Sequence, residues 1–186
     1  MTTQLLPGDI FLTKGDSFVS RAIRFFSRSG GESRTEANHV GLVVGAGNEV
    51  TAPIVEALTK VKRRTMKSYS ASKNTEVAIY RPLGLSDVEL DAIVERAEGY
   101  VGASYGYLKL VTHMIDYFLG GRYVARRLTN SDNYPICSWV VAYAYSDAGL
   151  TFGVAPGAAS PDDIMDYCVA HPNKYKVVHP MRKMTK

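Results

Sequence analysis

HVGLVV, residues 39–44, is a short aliphatic run rich in β-branched residues and opened by a histidine. A run of that length and composition reads as a buried strand. The polar stretch SGGESRTEAN, residues 29–38, precedes it as a loop, and Gly45-Ala46-Gly47-Asn48 follows it as a turn. A second strand, around Glu49 to Glu56, returns from that turn, with Pro53 as a place where its register could bulge. Upstream, Leu5-Leu6-Pro7-Gly8-Asp9 is a turn feeding a strand at Ile10 to Leu12; downstream, Val77 to Tyr80 is a strand stopped by Arg81-Pro82.

The period changes on either side of these strands. From Ser17 to Ser27, Phe18, Val19, Ala22, Ile23 and Phe26 recur at helical spacing. Ser86 and Glu89 form a capping box ahead of a stripe of Leu90, Ile93, Val94 and Ala97 that ends at Gly99. A glycine- and tyrosine-rich loop at 99–107 leads to an apolar helix from about Leu108 to Leu119, and residues 120–134 form an irregular crossing. Residues 136–148 read as a helix with Cys137, Val140, Val141, Ala144 and Ala148 on one face, stopped by Gly149. Ser160-Pro161-Asp162-Asp163 opens a last helix with an N-cap, a proline in the first turn and acids against the dipole. The expected fold class is α+β, in one domain over residues 1–180, with a frayed tail at 181–186.

Composition sets outer limits. The chain has 186 residues, 46% of them apolar, and a net charge of +4. That suits one domain with a full core and disfavours disorder along the whole chain. The opening residues, MTTQLLPGDI, lack the basic and apolar regions of a secretory signal. No stretch approaches the roughly 20 apolar residues of a membrane helix. The expectation is a cytoplasmic protein that release or delivery could bring to a cell wall. Two cysteines exclude a disulfide framework. Four histidines without H-E-x-x-H or paired Cys/His spacing predict no metal, and no phosphate-binding glycine loop predicts no nucleotide cofactor. The basic runs Lys60, Lys62, Arg63, Arg64, Lys67 and Arg122, Arg126, Arg127 carry no interleaved aromatics. They read as a solvated face or an anion-attracting one, without specific nucleic-acid binding.

Three residues stand out chemically. Cys137 falls in the first turn of the 136–148 helix, where free N–H groups and the dipole favour a thiolate. The N–H groups of Cys137 and Ser138 could also face an oxyanion. The opposing reading is a small buried hydrophobe, since Cys137 shares the apolar stripe. His39 and Glu56 fall near one end of the expected hairpin, and an acid between Val55 and Ala57 is costly unless it is paired. A carboxylate there would hold one imidazole nitrogen and leave the other for the thiol.

The segments LPGDIFL (6–12), SRAIRFFSRS (20–29), NHVGLVVG (38–45), IVEA (54–57), GASYGY (102–107) and YPICSWVVAYAYSDAG (134–149) resemble the permuted branch of the NlpC/P60 superfamily. More narrowly, the chain is similar to the YiiX/YebB-like permuted papain-like amidases. The resemblance implies a circularly permuted papain-like fold: an antiparallel sheet packed on helices, one of them central and starting at the nucleophile. It implies Cys137 as nucleophile, His39 as base, Glu56 as the orienting third residue, and Tyr134 and Tyr105 lining the oxyanion and substrate region, beside the Ser138 amide noted above. The function it implies is a cysteine peptidase or amidase that cleaves a peptide or peptidoglycan-like amide through an acyl-enzyme. Acyl transfer to or from lipids or thioesters with the same nucleophile, and a non-catalytic binding domain, are the alternatives.

Overall fold

The computed structural model describes residues 3–15, 37–72, 74–104 and 136–184. Within them the strands are β1 (Gln4–Leu5), β2 (Ile10–Gly15), β3 (His39–Val43), β4 (Gly47–Asn48), β5 (Pro53–Ala57), β6 (Val61–Thr65), β7 (Thr75–Pro82) and β8 (Tyr175–Lys183). The helices are α1 (Lys67–Ser70), α2 (Asp87–Gly99), α3 (Cys137–Asp147) and α4 (Pro161–Ala170). The expected helices at 17–27 and 108–119 and the crossing at 120–134 lie outside the described residues.

Six strands form one antiparallel sheet in the order β6-β5-β3-β2-β7-β8, and β1 pairs separately with β4. The run that begins at His39 is central, so both of its faces are covered and it reads as continuous apolar sequence. One face carries Ile10, Leu12, Val40, Leu42 and Val55 against α2, α3 and α4. The other carries Phe11, Val43, Ile54, Val77 and Ile79 over Leu5, Met66 and Met184. α3 packs against β3, β5 and α2, and Cys137 through Ala142, Ala144 and Tyr145 are all buried. A helix closed in on nearly every side shows no single apolar stripe, which explains why its expected one-sided pattern understates its burial. Among the described residues no helix is long and apolar enough to cross a membrane.

Two polar clamps lock the turn between β1 and β2. Asp9 is fully buried and receives Arg81 Nε and Nη2, each at 2.8 Å, while the Leu6 amide donates to it at 2.9 Å. The Tyr145 hydroxyl donates to the Gly8 carbonyl at 2.7 Å, tying α3 to the same turn, and Gly8 adopts φ 86°. A side chain would be strained in that left-handed conformation.

Both expected caps are present. Ser86 with Glu89 and Ser160 with Asp163 each form a reciprocal capping box. Three expectations change. Pro53 opens β5 without disturbing its register, because the first residue of a strand can lack an N–H at little cost. The run at 61–65 is a strand, hidden in the sequence by four consecutive exposed positions on a sheet edge. Of the tail expected to fray over 181–186, Met181 to Lys183 belong to β8, with Arg182 opposite Val77 and Lys183 opposite Glu76. Pro180 is tolerated inside β8 because that strand is the other edge of the sheet.

Candidate functional site

The register of β3 and β5 brings histidine and acid together. Gly41 is opposite Glu56, so His39 lies two positions along on the same face, a diagonal neighbour of the carboxylate. His39 Nε2 is 2.8 Å from Glu56 Oε2. Gly41 also makes room: any Cβ there would run into the Phe11 ring and come within 2.9 Å of the Val55 carbonyl oxygen. Phe11 uses that space to set its ring edge-on to His39, with centroids 6.3 Å apart, and 5.2 Å from Tyr69.

Glu56 is completely buried, and both of its oxygens have partners. Oε2 accepts from the Tyr69 hydroxyl as well as facing His39, and Oε1 is 3.4 Å from Arg64 Nη1. Burial pushes the carboxyl up, but His39, Tyr69 and Arg64 together hold it below the usual range. The same setting pushes the Tyr69 phenol well above its ordinary value, through burial first and then the Glu56 charge. Tyr69, on the single turn of α1, escaped the sequence reading. It lies 13 residues beyond Glu56 in a stretch with no periodic signal.

Cys137 is the first residue of α3 and buried, and its thiol is near enough to the His39 side chain for each to shift the other's ionisation. Since Glu56 takes Nε2, Nδ1 is the ring nitrogen left for sulfur. Burial alone would raise the thiol. The His39 hydrogen bond and charge, joined by backbone N–H bonds from Val40 and Ser138, outweigh it and lower the thiol. Burial would likewise lower His39, yet Cys137 and Glu56 raise it to about 10. These directions favour a thiolate beside an imidazolium over a neutral pair, next to a buried carboxylate. His39 is only 15% exposed at its side chain, so water screens the pair weakly.

The remaining expected positions divide. Ser138 is fully buried; its amide reaches the Cys137 sulfur, and its hydroxyl has no hydrogen-bond partner among the described residues. The Val40 amide makes the same contact and was not anticipated. Its clue was adjacency to His39 at the start of β3. Tyr134 and Tyr105 lie outside the described residues. Cys168 is a free thiol buried in α4, pushed far up by burial, so the chemistry of the two cysteines differs sharply. Two surface clefts, of about 410 and 480 Å³, are lined by Arg96, Tyr100 and Asp147 and by Leu6, Arg81 and Leu90. Neither contains Cys137, His39 or Glu56.

No protein-family profile matches the chain, and no curated protein matches it. Among solved structures, the fold is similar to that of the metalloprotein YiiX from Escherichia coli O157:H7, with a TM-score of 0.54 and 22% identity. The match covers 80% of this chain and 69% of that one. The shared architecture is an α+β fold with an antiparallel sheet packed on helices. The expected activity is corrected here. A thiol-dependent hydrolase of amide bonds, whether cysteine peptidase or amidase, is not what the matching protein is described as, since that protein is described as a metalloprotein. The physical reason is that closeness of thiol, imidazole and carboxylate determines how a sulfur ionises, and leaves open which bond, if any, it cleaves.

Proposed function

We propose that Cys137, His39 and Glu56 form a reactive-thiolate centre, in which sulfur captures an electrophile covalently. The single observation behind this is the position of His39 between a buried carboxylate, 2.8 Å from Nε2, and a helix-initiating thiol. Cys137 is the nucleophile, His39 carries the compensating proton, and Glu56 orients the ring. The amides of Val40 and Ser138 stabilise negative charge on sulfur and, once sulfur has reacted, would be free to do so on its adduct. On this reading the sheet and α3 form a permuted papain-like arrangement.

The similar structure is of a metalloprotein, which raises the question of whether these donors suit a metal. Glu56 has no free oxygen, and His39 has one ring nitrogen to offer. Among the described residues no group of three or more His, Cys, Asp or Glu could hold an ion. Cys137 and His39 are two donors, short of the three or four protein ligands of ordinary zinc sites. The described residues alone do not complete a metal site.

The test is iodoacetamide alkylation, with the labelled cysteine identified by peptide mass. As pH falls below about 8.5, Cys137 should lose reactivity less steeply than an ordinary thiol, which slows tenfold per unit. His39→Ala should slow labelling most at low pH and restore the pH dependence of an ordinary thiol. Cys168 should stay unlabelled in the folded protein. A Cys137 rate that climbs with pH like a free thiol, or label on Cys168 alone, defeats the proposal. Protection of Cys137 by stoichiometric zinc would favour a metal site over it.

A further inference from the structure

The charges around the centre do not cancel. Cys137 balances His39, Glu56 balances Arg64, and Arg63 is 3.3 Å from Glu98. Two lysines at the same end of the sheet have no carboxylate partner among the described residues. Lys62 is directly opposite Glu56 in the β5–β6 register, and therefore on the face that carries Glu56 and Arg64. Lys60 sits in the short turn that joins β5 to β6. Residues at paired positions have their backbones about 5 Å apart, so the Lys62 stem starts within a Debye length of the Glu56–His39 pair. Charged residues on an edge strand also discourage edge-to-edge association. That purpose alone would be served equally by lysines anywhere along β6.

We infer that the electrophile taken by this centre carries an anionic group, a carboxylate or a phosphate, drawn in by Lys62 and Lys60. The inference rests on the reactive-thiolate reading and adds the substrate's charge to it. With iodoacetate as the anionic probe, sulfur forms a bond to carbon as the carbon–iodine bond breaks, iodide leaves with the bonding pair, and no proton or external electron is needed.

The experiment compares iodoacetate with iodoacetamide on the full-length protein, at low ionic strength and about pH 7. The ratio of their Cys137 rates should fall about threefold in Lys62→Gln and further in Lys60→Gln/Lys62→Gln, while the iodoacetamide rate stays within twofold of wild type. Lys176→Gln, on the opposite sheet edge, changes net charge equally and should leave the ratio alone. An unchanged ratio in the double variant overturns the inference and spares the centre. An equal drop in Lys176→Gln also overturns it, since net charge would then be the cause. Failure of iodoacetamide to label Cys137 in wild type overturns the reactive-thiolate reading, and the inference with it.

Discussion

At the scale of single residues, the Tyr69 hydroxyl is the test of how tightly the histidine is held. It shares Glu56 Oε2 with His39, so removing it leaves a buried carboxylate oxygen with one donor fewer. A hydrogen bond to a charged group contributes about 1.5–3 kcal/mol, although part of that loss is recovered when His39 leans more fully on the same oxygen. Tyr69→Phe should therefore move the midpoint of the Cys137 alkylation profile by about one pH unit or less, and lower the melting temperature. Equal midpoints in the two proteins would restrict Tyr69 to packing against Phe11. Legibility at this scale followed burial and charge. His39 and Glu56 were legible because a buried acid demands a partner and the strands around them are strongly apolar. Tyr69, Arg64 and the Val40 amide were not, because their importance comes from register and from a single helical turn, and neither has a sequence signature.

At the scale of elements, β3 is the piece on which position matters most, and Gly41 is its most constrained residue. Gly41→Ala drives a methyl group into the Phe11 ring and towards the Val55 carbonyl. Overpacking of this kind costs about 1–3 kcal/mol. Because Phe11 borders both His39 and Tyr69, the strain should also reach the thiol. The expected outcome is a lower denaturation midpoint together with slower Cys137 alkylation at about pH 6. A loss of stability with unaltered alkylation would show that Phe11 moves without disturbing the histidine. The elements themselves differed in legibility for related reasons. α2 and α4 begin with capping boxes that can be read letter by letter. β6 and β8 are sheet edges, where exposed charges and a proline are tolerated, so the alternation that reveals a strand is missing. Their existence depends on the neighbours they pair with.

For the molecule as a whole, the thiolate–imidazolium pair shapes how stability varies with pH. Between the ordinary values of 6.5 for histidine and 9.0 for cysteine, the unfolded chain holds one proton on cysteine; wherever the lowered thiol has ionised, the folded chain also holds one, on His39, which is raised to about 10. Proton counts match, so these two groups give a flat stretch across that window. Below 6.5 the unfolded histidine takes up a second proton that the folded pair resists until its lowered thiol titrates, so stability falls with acid. Above 9.0 the unfolded chain has lost both protons while His39 keeps its own to about 10, so stability falls with alkali. Melting temperatures across that range should show a plateau, which Cys137→Ser removes by taking away the thiol proton that keeps the two counts equal while Glu56 still holds the His39 proton. A wild-type curve with its steepest slope near neutrality would contradict the ion pair. The chain order of these groups has one more consequence. His39 and Glu56 belong to the first half of the sequence, while Cys137 comes after more than two-thirds of it. A chain leaving the ribosome completes its acid and imidazole long before the sulfur they ionise has been made. If Cys137 is the reactive thiol proposed above, its activation waits until α3 is synthesised and docked on β3, so this centre becomes competent only after the sheet that ionises it is in place.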